Sequence, residues 1–387
     1  MNKIIFDTSI TGHHCEYISH LIDFLSVHDT GELNYIFVVH TEFEKNFPTI
    51  YNKGKEIRCV TWVQVTAEEL IKIQKGNSLV TSFRTINVME TYAKRYTANH
   101  IVALDFHTIK YGAIFKKLPC SLSSILFLQF YRLSTRTFKE KIEFYKRYWI
   151  TKLCVRNPKI SKIYVLNDQE TVDYMNNEFK KHCFEMLPDP IPHFEPLPEF
   201  DIYKHYKINQ NRKIYLHIGS LGDRKGTLEV IEAAQLIPPS MQDKISILLV
   251  GKTGITYETL YNTKIKELDG ETKVQLIWDN QFVSYNMMKS LFDQCDFVLL
   301  PYKNAEFSSG ILGHAAASNK MVIATNAGLL KELVLKYNLG KLLDTNDAFN
   351  IALKMVEVFD QKVFTEGQQS FVKKHDPMVF ASLLLRH

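Results

Sequence analysis

At 387 residues the chain is longer than one hydrophobic core usually serves, so two domains are expected. Hydrophobic residues at 45% and charged residues at 23% exclude a disordered or collagen-like chain, and no apolar run reaches the roughly eighteen residues a transmembrane helix needs. The net charge of +5 comes from one stretch: residues 132–162 hold ten Lys and Arg against Glu140 and Glu143, a local +8 that leaves the remainder near −3.

MNKIIFDTSITGHH reaches a polar turn after three apolar residues, so no signal peptide is predicted. Strands are predicted in the first half at Lys3–Ser9, Asn34–His40, Cys59–Val65, His100–Phe106, Ser124–Phe130 and Lys162–Asp168. Between the first two, Tyr17, Ile18, Leu21, Ile22 and Leu25 recur at helical spacing. LPDPIPHFEPLPEF (Leu187–Phe200) then carries five prolines, which no helix or central strand tolerates. Beyond it, strands are predicted at Lys213–Ser220, Ile245–Lys252, Val274–Asn280, Asp296–Tyr302 and Met321–Ala327. Helices are expected between them at Gly226–Leu236, Tyr257–Leu268, Tyr285–Asp293, Gly310–Ser318 and Gly328–Tyr337. Alternation of this kind predicts an α/β fold of two parallel-sheet, Rossmann-like domains. The expected boundaries are 1–190, 191–365 and a C-terminal helix, 366–387, interrupted by Pro377, that crosses back to the first domain. Ligands of parallel sheets bind beyond the carboxyl ends of the strands, which predicts a cleft between the domains. Six scattered cysteines without a C-x-x-C pair fit reduced thiols in a cytoplasm and argue against a zinc site.

Three post-strand loops hold the candidate chemistry. GSLGDRKG (Gly219–Gly226) offers close backbone approach at Gly219 and Gly222, a helix start, and two cations, Arg224 and Lys225, suited to a diphosphate. In EFSSGILGHAAA, Ser308, Ser309 and Gly310 open a helix as an anion-binding turn. Glu306 precedes that turn as an acceptor for sugar hydroxyls, and His314 lies one helical turn past Gly310. The third loop, SITGHHCEY, brings Gly12, His13 and His14 to the end of the first strand; Asp105 and His107 end another. Adjacent histidines diverge on a helix, and the chain contains no D-x-D pair, so no metal is expected.

GSLGDRKG, PYKNAEFSSGILGHAAA and KMVIATNAGLLKELV, in that order, resemble the retaining glycosyltransferases of the GT-B fold, in particular the large family four group. The resemblance covers residues 213–341 well and the first half in outline. It implies two Rossmann-like domains facing each other across a cleft and a metal-independent, hexosyltransferase-like enzyme. Such an enzyme moves a sugar from a nucleotide donor, with UDP or GDP expected, to a glycan or lipid-linked hydroxyl, with retention. Arg224 and Lys225 would then bind the diphosphate, Ser309 and Gly310 the distal phosphate, and Glu306 the sugar hydroxyls. Bacterial surface-polysaccharide assembly is the setting it implies.

One departure stands out. The family's second glutamate, which accepts from both ribose hydroxyls, falls on His314, and a neutral imidazole has one acceptor nitrogen. The N-terminal glycine-rich turn is reduced to Thr11-Gly12. His13, His14, Asp105 and His107 are the acceptor-side candidates. The basic segment 132–162, interleaved with Phe138, Phe144, Tyr145, Tyr148 and Trp149, suits peripheral contact with an anionic membrane on its inner face; nucleic acid is the competing partner and is not expected. A solvated basic helix pair is the plain alternative. Two other functions stay open: a sugar-nucleotide epimerase of the same fold, and a non-catalytic nucleotide-sugar-binding protein.

Overall fold

The computed structural model describes residues 1–12, 14–28, 31, 33–361 and 365–386. They divide into two compact units, Met1–Pro190 with Pro377–His387, and Ile191–Asp376. The first unit holds β1 (Asn2–Asp7), β2 (Asn34–Val39), β3 (Val60–Gln64), β4 (His100–Ala103), β5 (Ser121–Leu126), β6 (Ile160–Leu166) and β7 (Phe184–Leu187). They form one parallel sheet in the order β3-β2-β1-β4-β5-β6-β7. The second holds β8 (Lys213–Ile218), β9 (Ile245–Val250), β10 (Gln275–Asp279), β11 (Phe297–Leu300), β12 (Met321–Thr325) and β13 (Gly340–Leu343), in the order β10-β9-β8-β11-β12-β13, again parallel.

The strands read as continuous apolar runs because both faces of each sheet are covered. Side chains alternate across a strand, so Ile4 and Phe6 enter one core of the first sheet while Ile5 enters the other. Ile214, Leu216 and Ile218 likewise oppose Tyr215 in the second. The chain ends with a helix, Thr365–Lys374, and another starting at Pro377, where proline's missing N–H costs nothing. That last helix, Pro377–Leu385, packs on the His14–Val27 helix: the Phe380 and Tyr17 rings lie 4.7 Å apart, and Lys3 Nζ donates to Leu385 O at 2.7 Å.

Three strand assignments differ from the sequence-based expectation. β5 ends at Leu126 rather than Phe130. Its opening serines hide it, but in the sheet Ser124 Oγ donates to Ala103 O at 2.8 Å and Ser123 Oγ pairs with Ser161 Oγ at 3.0 Å. The edge strands β7 (FEML) and β13 (GKLL) are four residues each and carry charged side chains, which leaves little periodic signal.

Past the ends of β5 and β6 the loops are tied by an ion pair. Arg132 grips Asp168 through two hydrogen bonds, Nε–Oδ2 at 2.6 Å and a second nitrogen to Oδ1 at 2.7 Å. Both side chains are buried, and Asp168 also accepts from Thr171 N at 3.0 Å, capping the Gln169–Phe179 helix. Arg132 is therefore an internal tie and adds nothing to the surface charge of its segment. Removing Asp168 takes away the two-bonded partner of a buried guanidinium, which keeps Glu170 at 3.1 Å, and the cap of the following helix: Asp168→Ala should cost about 3 kcal/mol in denaturant unfolding. An unchanged midpoint would show that the pair does not hold the loops.

Candidate functional site

In each sheet the strand order reverses once, between β1 and β4 and between β8 and β11. The loops leaving these neighbours diverge and open a crevice at the carboxyl ends. In the second unit the two loops are GSLGDRKG and PYKNAEFSSG. Their backbones are in direct contact. Gly226 has φ +71°, and a Cβ there would lie 2.3 Å from Pro301 O, so only glycine fits. Lys303 N donates to Arg224 O at 3.0 Å. The third motif closes on the second: Gly328, with φ +58°, leaves room for Ala305 O, which accepts from Leu329 N at 3.0 Å. All three sequence motifs therefore meet at one corner of the sheet.

Their side chains converge on Tyr302. Lys225 is buried; its Nζ donates to Tyr302 Oη at 2.8 Å and lies 4.5 Å from the ring centroid. Ser309 Oγ reaches the same hydroxyl at 3.5 Å, so Tyr302 bridges the two turns. Arg224 stays exposed, its guanidinium 6.0 Å from that ring. The acids nearby are spoken for: Lys303 pairs with Glu229 at 2.7 Å and with Asp223. The turn's positive charge is thus left to Arg224 and Lys225. Glu306 and Ser308 are half-buried, Gly310 is the exposed first residue of the Gly310–Ala317 helix, and Glu306 N donates to Asn304 Oδ1 at 3.3 Å.

Beneath the first turn sits His217, wholly buried in β8. Nδ1 is 3.0 Å from Leu299 O and must carry the proton; Nε2, 3.0 Å from Thr227 Oγ1, then accepts. The same Thr227 oxygen accepts from Gly222 N at 3.2 Å, so the imidazole indirectly sets the turn. Gly219 N is held by Val250 O at 3.0 Å. Burial, helped by the Lys225 charge and opposed by the Leu299 hydrogen bond, holds the His217 pKa down at about 4. His314 lies on the Gly310–Ala317 helix with its ring 5.9 Å from Phe194 and 5.7 Å from Phe292; Phe194 in turn stacks on Tyr285 at 4.4 Å.

In the first unit, β1 and β4 end at a polar cavity of about 260 Å³ lined by Asp7, Ser9, His14, Asp105 and several threonines. Asp7 is buried, and its Oδ2 lies 2.6 Å from His14 Nδ1 while Oδ1 accepts from Ser9 N at 2.9 Å. Asp105 caps the Phe106–Phe115 helix through His107 N at 2.7 Å, and burial raises its pKa. His107 does not line the cavity. Its Nε2 accepts from Leu128 N at 3.2 Å and Lys110 Nζ stands 3.1 Å from Nδ1. Burial, then the charges of Lys110 and Arg147, lowers its pKa to about 4. Gly12 opens the turn before His14 with φ +67°; His13 lies outside the described residues. Tyr302, His217 and Asp7 were not singled out from the sequence. His217 left a trace there, as the lone imidazole of an apolar strand, KIYLHI; the other two sit at strand ends among many polar residues.

Residues 199–375, most of the second unit, match the family model of glycosyl transferases group 1. No curated protein matches the sequence. Among solved structures, HepE from Anabaena, crystallised in complex with UDP, is similar at TM-score 0.67 and 17% identity, over 100% of this chain and 99% of that one. Sucrose-phosphate synthase from Thermosynechococcus elongatus gives 0.69 at 13% identity, over 100% and 97%. WaaG, a glycosyltransferase involved in lipopolysaccharide biosynthesis, gives 0.63 at 13%, over 100% of both chains. At such identities the structural likeness speaks for the fold, which is GT-B, and the family match is confined to the second unit, which is similar to glycosyl transferases group 1.

The buried His217 generates a pH dependence. Below about pH 6.5 the unfolded chain takes up a proton that the folded chain refuses until about pH 4. Stability should therefore fall with acid through that window, by up to about 3 kcal/mol at its lower end. Urea unfolding of the second unit at pH 7 and pH 4.5 reads it; His217→Gln should flatten the dependence, and an equally steep variant would place its origin elsewhere.

Proposed function

We propose that this protein is a glycosyltransferase that takes a hexosyl group from a UDP- or GDP-sugar and delivers it to a hydroxyl of a glycan or lipid-linked acceptor. Retention of anomeric configuration, work at the inner face of a membrane in bacterial surface-polysaccharide assembly, and peripheral contact with anionic lipid through residues 132–162 belong to the same proposal. HepE has been crystallised with UDP-glucose, and WaaG is involved in lipopolysaccharide biosynthesis, which supports the donor and the setting.

The observation that carries the reading is the meeting of Lys225 and Ser309 on one tyrosine hydroxyl. A lysine bedded against Tyr302, with Arg224 beside it, and the serine turn opposite suit a pyrophosphate held between two loops. As the glycosyl–oxygen bond breaks, both electrons pass to the departing diphosphate, the acceptor oxygen bonds to the anomeric carbon, and its proton is released. Arg224, Lys225 and the N–H groups of Ser308, Ser309 and Gly310 stabilise the charge that develops on the diphosphate. Gly219 and Gly222 let the backbone approach it. Glu306 holds donor-sugar hydroxyls and His314 the ribose, with Gly12 contributing to the donor from the first unit. His14 and Asp105, with His13 and His107, serve the acceptor.

A thermal-shift screen of nucleoside diphosphates tests the phosphate roles. One diphosphate should stabilise the wild type and leave Arg224→Ala/Lys225→Met unmoved; an equal response in that variant would refute the assignment. Glu306→Gln should keep the nucleotide response while turnover drops roughly a hundred- to thousandfold. Unchanged turnover would take the carboxylate out of the sugar pocket.

A further inference from the structure

The +8 charge of residues 132–162 does not lie on one surface as a block. Arg132 is consumed by Asp168, Arg147 by Glu143 at 2.8 Å, and Lys162 by Glu185 at 2.8 Å. Of the seven cations that remain, four, Lys139, Lys141, Lys146 and Lys152, lie on the Phe138–Val155 helix. Thr137 and Glu140 form a capping box that fixes where this helix begins. One face packs inward through Thr151, Cys154 and Val155, with Phe144 and Tyr148 partly buried against the same core.

The opposite face is unusual. Phe138 is 79% exposed, Ile142 53%, Tyr145 58% and Trp149 50%. At 3.6 residues per turn these positions fall within about 60° of one another, so they form one stripe along the helix. By the same spacing Lys141 and Lys152 border the stripe on one side and Lys139 and Lys146 on the other. Glu140 and Glu143 lie away from it; Glu140 accepts from Thr137 N, and Glu143 is held by Arg147 at 2.8 Å, with Lys146 Nζ at a longer 3.4 Å in an exposed pair. Lys152 lies against the stripe itself, 4.9 Å from the Trp149 ring. Four large apolar side chains held in water cost free energy, and a solvated basic helix has no use for them.

We infer that this helix lies in the headgroup plane of an anionic bilayer, with Phe138, Ile142, Tyr145 and Trp149 inserted and the four flanking lysines paired with lipid phosphates. The inference rests on the proposed membrane contact and gives it an element and a depth; it does not depend on the donor assignment. Charge complementarity selects the partner. Nucleic acid would be matched by the lysines but would leave the aliphatic Ile142 without a role, whereas a bilayer uses both. Trp and Tyr at the stripe's inner half suit the interface, where an apolar ring and a polar edge are both accommodated.

Sedimentation with vesicles of phosphatidylglycerol mixed with phosphatidylcholine, against phosphatidylcholine alone, tests the inference. The wild type should pellet with the anionic vesicles, and its tryptophan emission should shift to the blue. Trp149→Phe should still pellet but lose the shift, because the other two tryptophans, Trp62 and Trp278, are not exposed. Replacing Phe138, Ile142, Tyr145 and Trp149 together by serine should abolish pelleting at low and physiological salt alike. Glutamine at Lys139, Lys141, Lys146 and Lys152 should weaken binding to anionic vesicles by about fivefold per lysine. All four stripe side chains are exposed, so the variants should fold; unchanged thermal unfolding and nucleotide response check this. The inference is overturned if the folded wild type ignores anionic vesicles, if the serine variant binds as well as the wild type, or if the stripe proves to bind RNA or a second copy of the chain instead. Loss of vesicle binding with an intact nucleotide response would leave the transferase reading standing, and the converse would leave the membrane helix standing.

Discussion

β8 and β11 lie side by side, yet the chain leaves them toward opposite edges of the sheet. The turns that follow must therefore face each other across the carboxyl end of the same pair of strands. Contact at Gly226 and Pro301 shows how close the approach is: there is no space for one methyl group between them. Lys225, Tyr302 and Ser309 become neighbours because of this adjacency, although Lys225 and Tyr302 are 77 residues apart in the chain. The first unit repeats the device with β1 and β4, and its polar cavity opens at the matching place.

The electrostatics follow from the same geometry. A turn reading Asp-Arg-Lys would present a mixed field to an anion. Lys303, delivered by the opposite turn, ties up Asp223 and Glu229, so the two acids face a cation of the protein. Lys225 is held in a fixed position by the Tyr302 hydroxyl and ring, so an anion meeting it would not have to order a long side chain. Underneath, His217 has to stay neutral. Were Nε2 protonated, Thr227 Oγ1 would have to accept from it and turn its own proton to Gly222 O, 3.3 Å away, which rearranges the hydrogen bonds under the turn.

Much of the fold could be read from the chain because parallel strands buried on both faces are long apolar runs, and the stretch from Tyr17 to Leu25 carries a clear 3.6-residue period. β7 and β13 escaped because edge strands are short and partly charged. The motif-bearing residues of the site, Arg224, Lys225, Glu306, Ser309 and Gly310, lie in loops whose glycines and polar residues stand out against the strands that precede them. Tyr302 did not, since a tyrosine after a strand is an ordinary sight and its role depends on a partner far away in sequence. Asp7 was hidden although its partner is near in sequence, because the turn between β1 and the next helix is what brings it 2.6 Å from His14. The basic segment was visible as composition, but which of its cations are internal ties, and that its aromatics form a stripe, depends on where the Phe138–Val155 helix turns.

The histidine at position 314 is best understood from its surroundings. Its ring is flanked by Phe194 and Phe292, and Phe194 comes from the proline-rich segment that also stacks on Tyr285. The faces of aromatic rings are electron-rich, so a carboxylate set between two of them would be repelled as well as desolvated. An imidazole can stack there and still turn one nitrogen outward. With Phe194 and Phe292 framing the position, a histidine satisfies it where a glutamate would not. A hydroxyl presented beside it would meet a single acceptor nitrogen and an aromatic edge in place of a carboxylate's two oxygens.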